Sequence, residues 1–227
     1  MKRRDALLGA LAITTAATTP LFASASTSIA PPKSGPVRVG IVVGNRATVI
    51  DFAGPWEAFE SAQSDQGFEL FMVSDTTKTL TATGGMQIVP LYTYETAPQP
   101  NVIVMGAQGD HTPEKIAWIR QAGAKADLVM SVCTGAFLLA ETGLLDGLTA
   151  TTHHDFYDKF AEQFPRVNLV RGPRYVEHDK VASAGGLTSG FELALRVVER
   201  YYGARAANQT AYYMEYNRSS QRPSRLS

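Results

Sequence analysis

"DLVMSVCTGAFLLAETGLL" spans residues 127–145, and its reading decides the rest of the chain. Leu128 to Val132 form an apolar run broken only by Ser131, as suits a strand buried on both faces. "GAFLLAETG" reads as a short helix that Gly143 ends. Between the two stands Cys133, the single cysteine of 227 residues, followed by Thr134 and Gly135. A strand that turns sharply into a helix is a nucleophile elbow. It delivers one side chain to the carboxyl edge of a sheet, where open α/β folds bind ligands. Ser131 and Gly135 are small, as the tight turn requires. A sulfur at a helix N-terminus also feels the positive end of the dipole, which favours thiolate. The competing reading is a buried structural cysteine. One cysteine makes no internal disulfide, so these two readings stand.

Working outward, "VRVGIVVG" (37–44), "FELFMVS" (68–74) and "NVIVMGA" (101–107) are further apolar strands. "GPWEAFESAQ" (54–63) predicts a helix with Pro55 in its first turn, and Pro113 begins "PEKIAWIRQAGAKA" (113–126). "KTLTATGGMQIVP" (78–90) predicts a hairpin turning at Gly84-Gly85. "HDFYDKFAEQF" (154–164) is amphipathic and stops before Pro165. Short strands are expected in "LTATT", "NLV", "RYVEHD" and "KVASA", the last two joined at His178-Asp179. Ser189 and Glu192 have capping-box spacing for a helix over 190–203, and "ARAANQTAYYMEY" adds a final helical patch. Strands and helices alternate at βαβ spacing. That predicts an α/β sandwich with a mainly parallel sheet and helices on both faces.

At 44% hydrophobic and 19% charged residues, the composition suits one globular domain, expected over residues 37–217. Zero formal charge gives no reason to expect nucleic acid or an anionic membrane as partner. The first 25 residues differ. Lys2-Arg3-Arg4, a Thr-diluted apolar stretch and Ala23-Ser24-Ala25 read as a bacterial signal peptide of the twin-arginine type. This implies a periplasmic protein that meets a membrane only during export. Residues 26–36 form a Ser/Pro-rich linker, and 218–227 a polar tail.

A thiolate nucleophile needs a proton manager and a home for negative charge. Asp51 is the main candidate for the first. If Pro55 takes the first helical position, Asp51 lies upstream in the loop and reaches the sheet edge. Glu57, on the helix, is a second candidate. Gly106 and Ala107, where a strand enters "GAQGD", could supply backbone N–H groups to an anion hole with Thr134, or could form an ordinary turn. His153 and His154 offer a proton carrier or, equally, a helix cap. Their spacing with one thiol builds no metal-ligand set, so no metal is expected. "SAGGLTSG" (183–190) lacks the lysine of a phosphate loop and reads as a tight connection bordering the cleft.

Together "VIDFAGPWEAF", "VIVMGAQGD", "VCTGAFLLAETGLLDGLTATTHH", "RYVEHDKVASAGGLTSGFELALRVVERYYG" and "YYMEYN" resemble the ThiJ/PfpI branch of the class I glutamine-amidotransferase-like superfamily, and most of all its isonitrile hydratase group. The resemblance covers about residues 37–217. It implies a three-layer, flavodoxin-like α/β sandwich, a homodimer, a small-molecule substrate and no cofactor. It places the catalytic pair on Cys133 and Asp51, with Thr134 beside them. Threonine stands where the family's proteases carry histidine after the cysteine, and Met105-Gly106-Ala107 replaces the usual P-G-G. Glyoxalase, deglycase or oxidant-sensing chemistry could use the same cysteine. Similar domains also open AraC-type regulators, but the 24 residues after Gly203 are too few for a helix-turn-helix region.

Overall fold

The computed structural model describes residues 28–218. The expected signal peptide and the tail from residue 219 on lie outside them. The first half of the domain holds β1 (Val37–Val42), α1 (Val49–Glu60), β2 (Phe68–Ser74), β3 (Leu80–Thr81), β4 (Gln87–Ile88), β5 (Tyr92–Thr93) and β6 (Val102–Met105). The second half holds α2 (Pro113–Lys125), β7 (Leu128–Val132), α3 (Gly135–Glu141), β8 (Thr149–Ala150), α4 (Tyr157–Gln163), β9 (Asn168–Leu169), β10 (Tyr175–Glu177), β11 (Val181–Ala184) and α5 (Ser189–Tyr213).

Seven strands form the main sheet in the order β10-β11-β7-β6-β1-β2-β5. Every pairing in it is parallel except β10 with β11. The run β2-β1-β6-β7-β11 is the flavodoxin-like order, and its switch point lies between β1 and β6. Central strands are mostly apolar because both faces are covered. In β6, Val102 and Val104 pack in one core with residues of α1 and α5. Ile103 and Met105 face the opposite core, which includes Ile119 of α2, Leu138 of α3 and Phe160 of α4. The result is the expected three-layer sandwich. The expected hairpin is β3 with β4, paired antiparallel. Among the described residues no helix is long and apolar enough to cross a membrane.

Three local expectations are corrected. First, α1 starts at Val49, about a turn and a half before Pro55, which lies inside the helix. The Asp51 amide bonds back to the Thr48 carbonyl, so the first turn closes before the proline can interrupt it. Second, the Ser189–Glu192 capping box does not form. Thr188 is the N-cap and makes no side-chain cap bond, while Glu192 accepts from Arg174 (Nε, 2.9 Å) and the Tyr216 hydroxyl (2.7 Å). Third, part of the linker is docked: Ile29 packs on the core and its amide donates to the Arg200 carbonyl at 2.8 Å. Gly203, with φ of 82°, kinks α5 where the long helix was expected to give way to the final helical patch.

Candidate active site

Cys133 sits between the end of β7 and the start of α3 with φ of 57°, a left-handed conformation that strains a non-glycine residue. Distant segments hold it there. Its amide donates to the carbonyl of Gly185 at 2.8 Å, and its carbonyl accepts the Thr152 hydroxyl at 2.9 Å. Gly135 lets α3 lie directly against the end of β6, because a Cβ there would land on the Met105 carbonyl oxygen and the Gly106 backbone.

Asp51 enters from α1 and is fully buried. A Cβ on Gly106 would come within 2.5 Å of the Asp51 Cβ, so only glycine allows this approach. Asp51 Oδ2 accepts the Ala107 amide at 2.9 Å. Its Oδ1 is buried without a partner of full hydrogen-bond geometry, and the side chain that acts on the carboxyl is Cys133, as a donor. Burial raises the Asp51 pKa to about 6, against the opposing pull of the Ala107 amide and the Cys133 thiol. Burial and the neighbouring Asp51 charge raise the Cys133 thiol to about 11, against the opposing Thr134 and Leu187 amides. The expected dipole-favoured thiolate is therefore corrected. The helix behind the sulfur is only 7 residues long, and desolvation outweighs it. Of the two groups the carboxyl is the stronger acid, so the proton they share favours sulfur.

The anion-hole expectation changes as well. Thr134 does present its amide to the sulfur, but the second donor is Leu187. The Ala107 amide is occupied by Asp51, and Gly106 serves by lacking a side chain. Leu187 has φ of 52° and lies in the turn between β11 and α5. Arg174 braces that turn: its carbonyl accepts from Gly185, and its guanidinium donates to the Thr188 hydroxyl at 3.0 Å and to Glu192. Sequence reasoning saw the glycine-rich turn as a border of the cleft but could not find a backbone donor whose side-chain type carries no signal.

Glu57 is exposed on α1 and is not among the groups acting on Cys133 or Asp51. His153 packs against Gly186, one residue from Leu187, and its Nδ1 accepts the Asp155 amide at 3.2 Å, which caps a short 3₁₀ turn. His154 is mostly exposed. His153, His154 and Asp155 bring three ligand-type atoms within 4.8 Å. The two imidazoles stack at 23°, and His153 Nδ1 is engaged by the Asp155 amide.

The sequence profile of the DJ-1/PfpI family matches residues 37–200. Isonitrile hydratase of Pseudomonas putida is 27% identical over 186 residues, covering 79% of this chain and 78% of that one. The HTH-type transcriptional regulator GbdR of Pseudomonas aeruginosa is 26% identical over 182 residues, and the match covers 77% of this chain but only 49% of the regulator. A crystal structure of a ThiJ/PfpI family protein from Pseudomonas syringae superimposes with a TM-score of 0.73 at 27% identity, over 82% of this chain and 78% of that one.

Proposed function

The chain belongs to the DJ-1/PfpI family, and on that footing we propose that it adds water to an isonitrile, R–N≡C, to give an N-substituted formamide. The observation that carries this reading is the buried contact of the Cys133 thiol with the Asp51 carboxyl beneath two backbone amides. A thiol and a carboxylate with acidities near 11 and 6 form a nucleophile with its own base. As sulfur closes on the terminal carbon, its proton passes to Asp51 and the Thr134 and Leu187 amides hold the sulfur's charge. The C–S bond forms and Asp51 returns the proton to that carbon, giving the thioimidate R–N=CH–S. Water then adds to the same carbon: Asp51 takes its proton and passes it to nitrogen. Asp51 then takes the adduct's hydroxyl proton and hands it to the departing sulfur, so that breaking the C–S bond releases R–NH–CHO and restores the thiol.

The test is a panel of isonitriles and reactive aldehydes, with formamide formation followed against pH. Turnover should rise as pH passes through about 6, because Asp51 must be a carboxylate to accept the thiol proton. Consumption of methylglyoxal without isonitrile turnover removes the hydratase assignment, and formamide formation with a profile flat across that range removes Asp51 as its base. Comparable identity to a transcriptional regulator favours a second reading, a ligand-binding domain that holds a small molecule unchanged. Isonitrile binding without formamide in the same panel would mark it.

Export through the twin-arginine route is part of the proposal, supported by Arg3-Arg4 and the Ala23-Ser24-Ala25 cleavage pattern. Intact mass of the protein recovered from its native cells should begin near Ser26. Retention of residues 1–25 there would remove the export assignment.

A further inference from the structure

Lys115 is an expensive residue for the place it occupies. It is only 3% exposed and lies in the first turn of α2, where the helix dipole disfavours a cation. Its Nζ has three acceptors, all in one loop: Gln108 Oε1 at 3.0 Å, the Gly109 carbonyl at 3.3 Å and the Asp110 carbonyl at 2.7 Å. Burial lowers its pKa, while the charges of Asp75 and Asp110 oppose that shift.

The other end of Gln108 shows where the charge leads. Its Nε2 donates to the Val42 carbonyl at 3.1 Å and, more weakly, to the Gly106 carbonyl at 3.4 Å. The Gly106 carbonyl and the Ala107 amide belong to one peptide group, and that amide donates to Asp51 Oδ2 at 2.9 Å. Three hydrogen bonds thus run donor to acceptor in one sense, from the Lys115 ammonium through the Gln108 amide and the Gly106–Ala107 peptide to the Asp51 carboxyl. Aligned dipoles in a dry interior strengthen one another.

We propose that Lys115 and Gln108 are positioning residues for Asp51, joined to it by this chain of hydrogen bonds, which holds the carboxylate charge and aims it at Cys133. The inference rests on Asp51 acting as the base of the proposed hydration, but its test needs no isonitrile. Cys133 is the titratable group that acts on Asp51 from the elbow, and Asp75 and Asp110 are the charged groups facing Lys115. Removing the cation or cutting the relay makes the carboxylate harder to form.

The experiment follows the Asp51 carboxyl by carbon NMR of the full chain labelled at aspartate, with the signal assigned by its loss in Asp51→Asn. The parent midpoint is expected near 6. Lys115→Met and Gln108→Met should each move it upward by about half a pH unit or more, and Lys115→Arg should bring it back toward the parent. Gln108→Met leaves Lys115 its two carbonyl partners, so it isolates the relay and keeps the test decisive if Lys115→Met does not fold. An unmoved midpoint in folded Gln108→Met overturns the proposal, whatever Lys115→Met does. The hydratase reading stands or falls separately, on formamide formation.

Discussion

Cys133→Ala should abolish isonitrile turnover, a loss of at least about 10³-fold in kcat/KM, while the protein stays folded. The side chain removed is small, and the turn is held through backbone groups: the Gly185 carbonyl receives the residue-133 amide, and the Thr152 hydroxyl reaches its carbonyl. Those bonds survive the substitution. What disappears is the sole atom able to form the thioimidate, and Asp51 is left with no proton to take. Cys133→Ser is the sharper variant. It keeps a hydroxyl at nearly the same place, but an alkoxide is far harder to generate than a thiolate, so it should be as inactive as alanine. Formamide formation and thermal unfolding measured together decide the matter. Turnover within tenfold of the parent in either folded variant would remove sulfur from the chemistry.

The second large effect is on the fold. Gly135→Ala is expected to destabilise the protein by about 3–4 kcal/mol, roughly 10 °C in melting temperature for a chain of this size. The added methyl meets only backbone: the Met105 carbonyl, then the Gly106 carbon at 2.9 Å and oxygen at 3.0 Å. A flexible side chain could swing aside, but here one wall is the end of β6 and the other is the elbow itself. Relief requires α3 to lift away from the sheet, which drags Cys133 from Asp51. Calorimetry on the variant tests this, and a melting temperature within 2 °C of the parent would show the approach to be looser than described.

Much of this was legible in the sequence because it is written in side chains. Apolar runs marked the buried strands, Pro113 marked the start of α2, and the Cys133-Thr134-Gly135 turn marked the elbow. The misreadings share a cause: a local rule met a non-local partner. Pro55 prefers a first turn, but α1 starts at Val49, and that earlier start is what carries Asp51 to Gly106. Glu192 has capping-box spacing, yet Arg174 and Tyr216, 18 and 24 residues away, claim its carboxylate. The helix-dipole argument for a thiolate was sound for an exposed sulfur, and the fold buries this one. Leu187 and Ala107 contribute amide hydrogens, which every residue but proline owns, so no letter of the sequence could distinguish them.

The elbow draws its supports from residues 106, 152 and 185 as well as from its own turn, so its geometry depends on segments far apart in the sequence. In an unfinished chain the sulfur has an ordinary thiol's acidity, near 8.5. Once the domain closes, the value climbs to about 11. Completing the structure therefore passivates this atom toward casual electrophiles. A newly made polypeptide is the more vulnerable species and the finished protein the more guarded one.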